Sequence, residues 1–569
     1  MTRALRWSLL ALAVLGAAGP APPPPAPADL VFRHGAVYTV DAARSAAEAV
    51  AVSGGKIVFV GPDAAVSPWI GPKTRVVDLA GKMLLPAFHD SHVHPVSGGI
   101  ESIECDLHGL ETQAQVLDAI RKYAAAHPDA AWIRGGGWEL PVFPEGNPSK
   151  ELLDAVVADR PALLDASDGH SGWANSKALQ IAGVTRETAD PPHGRIERDA
   201  SGQPSGTLRE EAADLVAKHL PPRAAKDYEE GLRRGLEVAN GFGLTSLQEA
   251  SASEAALAAY RALDARGALT ARVVAAMTVD TDKGLAEVAR LADLRQKYRG
   301  KRVRADAAKI FADGVIETRT AALLSPYLGF GDDRGKLNLE PGAFSALAVA
   351  LDRQGFQIHV HAIGDRAIRS ALDAMEAARQ ANGVRDSRHH IAHLELIDPA
   401  DVPRFRRLGV VANFQPFWAN GDKYLTELTE PRLGPQRSRW LYPIRSLLQS
   451  GATVAFGSDW SVSSLNPLDG IEVAVTHREP SRGPGAAWLP EEQIGLPDAI
   501  AAYTIRGAYL DFTEAETGSI ERGKAADLIV LDHNLFEIPA AQIHETKVLW
   551  TLLEGREVYR AKGFTPTSP

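Results

Sequence analysis

Residues 86–99 read PAFHDSHVHPVSGG and crowd three histidines, His89, His92 and His94, into six positions with Asp90 between them. In a β-strand successive side chains point to opposite faces. His92 and His94 then share one face, and Asp90 shares it one step deeper. His89 falls on the other face with Ser91 and Val93, towards a helix layer. Two imidazoles on one face at a strand end can hold one metal ion. A hydrogen-bonded pair of core histidines leaves the same signature, so the choice rests on the remainder of the chain.

Outward from this stretch, apolar strand-like runs alternate with helical ones. The strand candidates are TSLQEAS, ARVVAAMTV, RADAAKIFADG, FQIHVHAIGD, RHHIAHLELI, GVVANFQP and ATVAFGSDW. Helical stretches such as YEEGLRRGLEVANGFG and DRAIRSALDAMEAARQANG lie among them. The alternation predicts an α/β fold with a parallel sheet, and about eight repeats predict a closed (β/α)8 TIM barrel. The barrel is expected over 83–510, with an insertion near 100–230 that exceeds one strand–helix unit. Residues 29–82 and 511–562 have a different texture, short alternating strands broken by glycine. They are expected to form one small β-sandwich domain from both chain ends.

Bulk properties narrow the class. The 569 residues are 45% hydrophobic and 23% charged, ordinary for a globular chain. A net charge of −10 argues against a nucleic-acid partner. Arg3 and Arg6 precede a short apolar run at 8–18 and a proline-rich stretch. Residues 1–28 therefore read as a signal peptide and leader, with Ala28 a candidate last residue before cleavage. The run is too short for a usual membrane span. The expectation is a secreted or periplasmic protein without stable membrane association after cleavage. Cys105 is the single cysteine, so no intrachain disulfide can form.

In such a barrel the reactive groups gather at the C-terminal ends of the strands. The polar residues that end apolar runs are His92, His94, Lys309, His361, His393 and Asp459. In QIHVHAIGD, His359 and His361 share a face and His361 is nearer the end. In RHHIAHLELI, alternation gives His389 and His393 one face and turns His390 away. A lysine in an apolar strand is costly unless paired or neutralised. Lys309 fits a salt bridge to Asp313 or Asp459, and it fits carboxylation by carbon dioxide to a carbamate that can bridge two cations. Asp459 fits a turn cap, and it fits a metal ligand and proton shuttle.

This constellation resembles the amidohydrolase superfamily of metal-dependent barrel hydrolases. PAFHDSHVH is similar to its strand-one pattern ending in H-x-H. GGGWE at 135–139, DGHSGWANSKAL at 168–179, KIFADGVIETRTAALLSPY, HVHAIGDRAI, RHHIAHLELI and FGSDWSV resemble the YtcJ-like branch, which includes N-substituted formamide deformylases. GSIERGKAADLIVLD resembles the segment returning to the sandwich. The resemblance spans roughly 29–562 in the family's motif order. The chain departs from the usual pattern at Ala87, His89, Ala392 and Ser461, and none of these removes a proposed ligand.

The resemblance implies a binuclear site with two zinc ions. His92, His94 and Asp459 would bind one, His361 and His393 the other, and carboxylated Lys309 would bridge them. It implies hydrolysis of non-peptide carbon–nitrogen bonds, of the amide or formamide type, by a metal-bridging hydroxide, with Asp459 as the catalytic general base and acid. The candidates for substrate contact are Trp138, Glu139, His170, Trp173 and Asn175, which also fit packing of the insertion on the barrel. The expected partner is a small amide-type molecule, with a homodimer allowed. A lactonase or phosphotriesterase would use the same ligands, and a non-catalytic exported metal-binding protein would need them without Asp459.

Overall fold

The computed structural model describes residues 25–480 and 485–566. Most of the expected leader lies outside the described residues. Ala28 is 3% exposed, and its N–H donates to the Trp69 carbonyl, so it packs against the sandwich that follows it.

Eight parallel strands form the central sheet, in sequence order around the ring. They are β1 (Phe88–Val93), β2 (Leu244–Ala252), β3 (Arg272–Thr278), β4 (Val303–Phe311), β5 (Gln357–Ala362), β6 (His390–His393), β7 (Val411–Phe414) and β8 (Val454–Phe456). The outward faces carry apolar side chains such as Val273, Ala275, Met277, Ala308 and Ile310, which join the helix layer in one large core. The helices bring matching stripes. Helix 365–382 buries Ala367, Ile368, Ala371, Leu372, Met375 and Ala378 at the three- and four-residue spacing of one helical face.

The barrel interior is less usual. Such interiors are typically filled by branched apolar residues. Here Val274, Ala276 and Ala307 form a small apolar layer. Asp90, Gln248, Gln357, His359, His390 and Asn413 are also fully buried or nearly so. Gln248 donates to Gln357, and Asn413 donates to the Ser91 carbonyl. A polar interior of this kind favours support of a functional site over simple packing.

The ring closes between β8 and β1. The Asp459 N–H donates to the His92 carbonyl at 2.7 Å, and the His94 N–H donates to the Trp460 carbonyl at 2.9 Å. Gly457 permits this approach, because a Cβ there would fall 2.5 Å from the His92 backbone nitrogen.

Both chain ends build the sandwich. One sheet orders strands 56–61, 49–53, 30–33 and 75–78, and the other orders 556–560, 548–553, 528–531, 83–86, 36–38 and 46–47. Leu528–Leu531 pairs antiparallel with Met83–Pro86, the strand that leads directly into β1. Phe32, Val50, Leu84, Leu528, Val530 and Trp550 fill the shared core. Between β1 and β2 the chain forms a separate six-stranded mixed sheet, ordered 194–198, 204–210, 171–174, 162–166, 133–138 and 105–106.

Candidate active site

The C-terminal ends of the barrel strands open into a cavity of about 1170 Å³, which the inserted sheet partly walls. His92, His94, Lys309, His361, His393 and Asp459 all line it. The Asp459 carboxylate sits between the first two, with Oδ1 3.3 Å from His92 Nε2 and 3.0 Å from His94 Nε2. The candidate donor atoms of His92, His94 and Asp459 lie within 4.8 Å of one another. Lys309 Nζ is 3.4 Å from His92 Nε2, and His393 Nδ1 is 3.8 Å from Asp459 Oδ2. The His361 and His393 rings meet edge to face at 4.5 Å between centroids. Asp459 Oδ1 and His393 Nδ1 are buried without a hydrogen bond among the described residues. Two imidazoles, a carboxylate and orphaned buried acceptors are a donor set suited to a divalent metal.

The strands explain this convergence, with one correction. His359 and His361 on β5 face inwards, and the ladder sets His390 and Ala392 of β6 beside them. His390 therefore points into the barrel, its ring 4.1 Å from that of His359. His389 points out and meets Asp352 of helix 341–353 at 2.9 Å. Alternation in the sequence assigned these two the opposite way, with His393 inward beside His389; with His390 inward instead, strict alternation would turn His393 outwards. His393 reaches the site because the strand ends there, with φ of 75° at His393 and 56° at Leu394. This left-handed break swings the imidazole inwards at a backbone cost.

The electrostatics separate the ligands. Burial, reinforced by Lys309, pushes the His92 imidazole down to about 3, so its ring is neutral. Burial opposes charge on His94 too, but Asp459 and Glu249 outweigh it and lift this imidazole to about 9. Burial also works against an ionised Asp459, yet His92, His94 and His393 hold the carboxyl well below its usual range. Burial lowers the Lys309 ammonium to about 7 despite Asp459 and Glu249.

The shell behind the ligands is specific. Asp90 Oδ1 accepts from the backbone N–H groups of His92 and Ser458, joining β1 to β8. His359 Nε2 is 3.0 Å from His92 Nδ1 and fixes the lower edge of that ring. His89 faces the helices, where it meets Thr517 Oγ1 at 3.2 Å.

The chemistry-bearing pattern matches known proteins over almost the whole chain. The family model described as "Amidohydrolase family" matches residues 75–559. The chain belongs to the amidohydrolase family. Among curated amidohydrolase relatives, it is 30% identical to the putative amidohydrolase YtcJ of Bacillus subtilis, over 93% of this chain and 99% of that one. It is also 30% identical to an N-substituted formamide deformylase of Arthrobacter pascens, over 94% of this chain and 99% of that one. An uncharacterised metal-dependent hydrolase of Pyrococcus furiosus superposes with a TM-score of 0.68 at 25% identity, covering 89% of this chain and 99% of that one. The amidohydrolase resemblance drawn from the motifs is thereby borne out, and the chain is a hydrolase.

Of the five candidate substrate contacts on this amidohydrolase, Glu139 and His170 line the cavity. Glu139 Oε2 accepts from Ser167 and Tyr424, and His170 Nδ1 pairs with Glu210 at 2.8 Å. The His170 ring also approaches that of His361 at 5.1 Å. Trp138, Trp173 and Asn175 are a correction: they are fully buried and do not line the cavity. Trp138 and Trp173 donate to the carbonyls of Leu164 and Ser149 and pack in the inserted domain's own core. Asn175 caps helix 176–182 and braces strand 162–166 through Ala162.

Three further residues stand at or behind the site without having been singled out by the sequence pattern. Glu249 on β2 lies 3.5 Å from His94 Nδ1 and accepts from Tyr260. Its signal was a carboxylate within the apolar run TSLQEAS, followed by a bulge in the ladder. Trp418 stacks on His393 at 5.5 Å and 6°. Glu395 lies two positions beyond His393 in HLELI and also lines the cavity.

Proposed function

We propose that the chain is a metal-dependent hydrolase of non-peptide carbon–nitrogen bonds, with amides or N-substituted formamides as its substrate class. The observation that carries this reading is the Asp459 carboxylate, held ionised within 3.3 Å of both His92 and His94 at the floor of a substrate-sized cavity. The formamide deformylase relative supports the choice of bond.

His92, His94 and Asp459 would hold one ion, His361 and His393 a second, and carboxylated Lys309 would serve both. Zinc suits these donors. A lysine amine near pKa 7 is substantially unprotonated at neutral pH, which carboxylation by carbon dioxide requires. A bound divalent ion supplies Lewis-acid polarisation of a carbonyl and lowers the pKa of water from about 15.7 towards 7.

The chain's own residues do the rest. Asp459 takes a proton as water oxygen attacks the carbonyl carbon, then returns it to the nitrogen as the carbon–nitrogen bond breaks. One ionised carboxylate serves as base and then acid, leaving a carboxylic product and an amine. Glu249, steadied by Tyr260, holds His94 Nδ1 and so orients the ring. Glu210 occupies His170 Nδ1, which leaves Nε2 as the nitrogen for a substrate oxygen. Contacts with Glu210 outweigh burial and raise His170 to about 9, so it meets that oxygen as a cation.

The test is metal analysis with a panel of formamides, amides, lactones and phosphotriesters. About two metals per chain with carbon–nitrogen cleavage is the expected result. Turnover confined to lactones or phosphotriesters would replace this reading, and metal retention with no turnover would leave only metal binding. Asp459→Asn should lose about a thousand-fold in kcat while most of the metal stays bound. Unchanged turnover would remove Asp459 from its role.

A further inference from the structure

The cavity wall beside His393 carries carboxyl groups that the hydrolytic chemistry does not use. Among the described residues, ten carboxylates line the cavity, against two lysines and no arginine. The charged histidines are answered locally, His94 by Asp459 and Glu249, His170 by Glu210 and His108 by Asp106. They leave Glu317 and Glu395 unanswered. Glu317 follows β4 and Glu395 follows β6, and both are at least nine-tenths buried.

Neither carboxylate has an ion-pair partner among the described residues. Glu317 Oε1 accepts from Thr429 at 2.5 Å, and Glu395 Oε1 accepts from the Tyr442 hydroxyl. Glu395 Oε2 is buried with no hydrogen bond among the described residues. Arg432 lies near Glu317, but its guanidinium donates to the Leu428 carbonyl. Asp422 adds a third carboxylate to the same wall. Trp418, stacked on His393, and Tyr442 border the cavity with their rings. An orphaned carboxylate oxygen calls for a donor, and a carboxylate beside aromatic faces is the chemistry that recognises an ammonium group.

The geometry points to a cation-recognition subsite formed by Glu395, Glu317, Trp418 and Tyr442, so that the substrate is an amide or formamide bearing a positively charged amine. The subsite gives a substrate class to the hydrolase proposed above and rests on that reading. Its place beside His393 sets the cation next to the metal-ligand cluster, within the reach of one small molecule.

Binding without cleavage tests it. Benzylammonium, benzyltrimethylammonium and benzyl alcohol are titrated into the metal-loaded full-length protein by calorimetry at low ionic strength. Both cations should bind about ten-fold or more tightly than the alcohol, and Glu395→Gln should erase that preference. Equal affinities in the wild type overturn the proposal, whatever the variant does. A preference for benzylammonium alone also overturns it, because the free amine can ligate metal whereas the trimethyl cation has no lone pair. A preference that survives in Glu395→Gln and Glu317→Gln alike moves the cation elsewhere and overturns the assignment. Cation preference without hydrolysis of the panel sinks only the catalytic reading. Hydrolysis of neutral formamides without cation preference sinks only this one.

Discussion

The proton on His94 sets the terms on which metal enters the site. With its imidazole raised to about 9, the metal-free protein carries a protonated His94 at neutral pH, and ligation must expel that proton. Of the other proposed ligands, His92, His361 and His393 are held neutral and Asp459 is already ionised, so these four do not share this demand. Zinc binding should therefore release a proton from His94 below about pH 9 and cease to do so above it. Glu249→Gln removes one of the contacts that raise His94, so this crossover should move to lower pH. Calorimetry at about pH 8 in buffers of different ionisation enthalpy counts the protons. Equal release from wild type and variant would show that Glu249 does not govern His94. In the sequence, His92, His94 and Asp459 stood out because parity and strand ends are local properties. Glu249 did not, since its role depends on β2 lying beside β1, and a lone Glu in a strand looks like a solvated one.

At the scale of single elements, two features separate structure from catalysis. Asn175 binds the backbone of Ala162 and Ala178 through its carbonyl and that of Val157 and Arg160 through its amide. Asn175→Ala strands several buried groups and should cost about 3 kcal/mol, read from denaturant melts. Its kcat/KM per folded molecule should match the wild type, and a selective rise in KM would return Asn175 to substrate contact. Asn175 sits in the stretch DGHSGWANSKAL, and an asparagine there suits a helix cap as well as a pocket. Gly457 is the opposite case. A methyl group there pushes β8 off His92, so Gly457→Ala should lose metal affinity out of proportion to any fall in melting temperature. Retention of full metal content would show that the β8–β1 approach can relax. The inward turn of His393 belongs here too. Alternation holds only while a strand lasts, and the residues after β6 give no sequence sign of where the left-handed step falls.

For the whole molecule, the alternation of strand and helix made the barrel legible, because each unit repeats the same burial pattern. The texture shared by the two chain ends made the sandwich legible. The inserted sheet was not, since its strands pair across antiparallel and parallel neighbours in an order that short apolar runs do not encode. The sandwich is more than an appendage. Leu85 pairs with Ile529, and this strand continues through Ala87 into the histidine strand. Removing residues 511–566 should thus abolish soluble expression and metal binding together. A soluble, metal-loaded truncation would show that the barrel holds β1 without help.

The same pairing has a consequence in time. Leu85 and Ile529 are roughly 440 positions apart, so strand 83–86, which leads into the strand bearing His92, lacks its partner 528–531 until some 440 more residues have been made. At about 5–20 residues per second, that wait is tens of seconds. Throughout it, the apolar edge of 83–86 is exposed to other chains. A segment made early is therefore among the last to be completed, and the nascent chain is open to aggregation at the strand that leads into its chemistry.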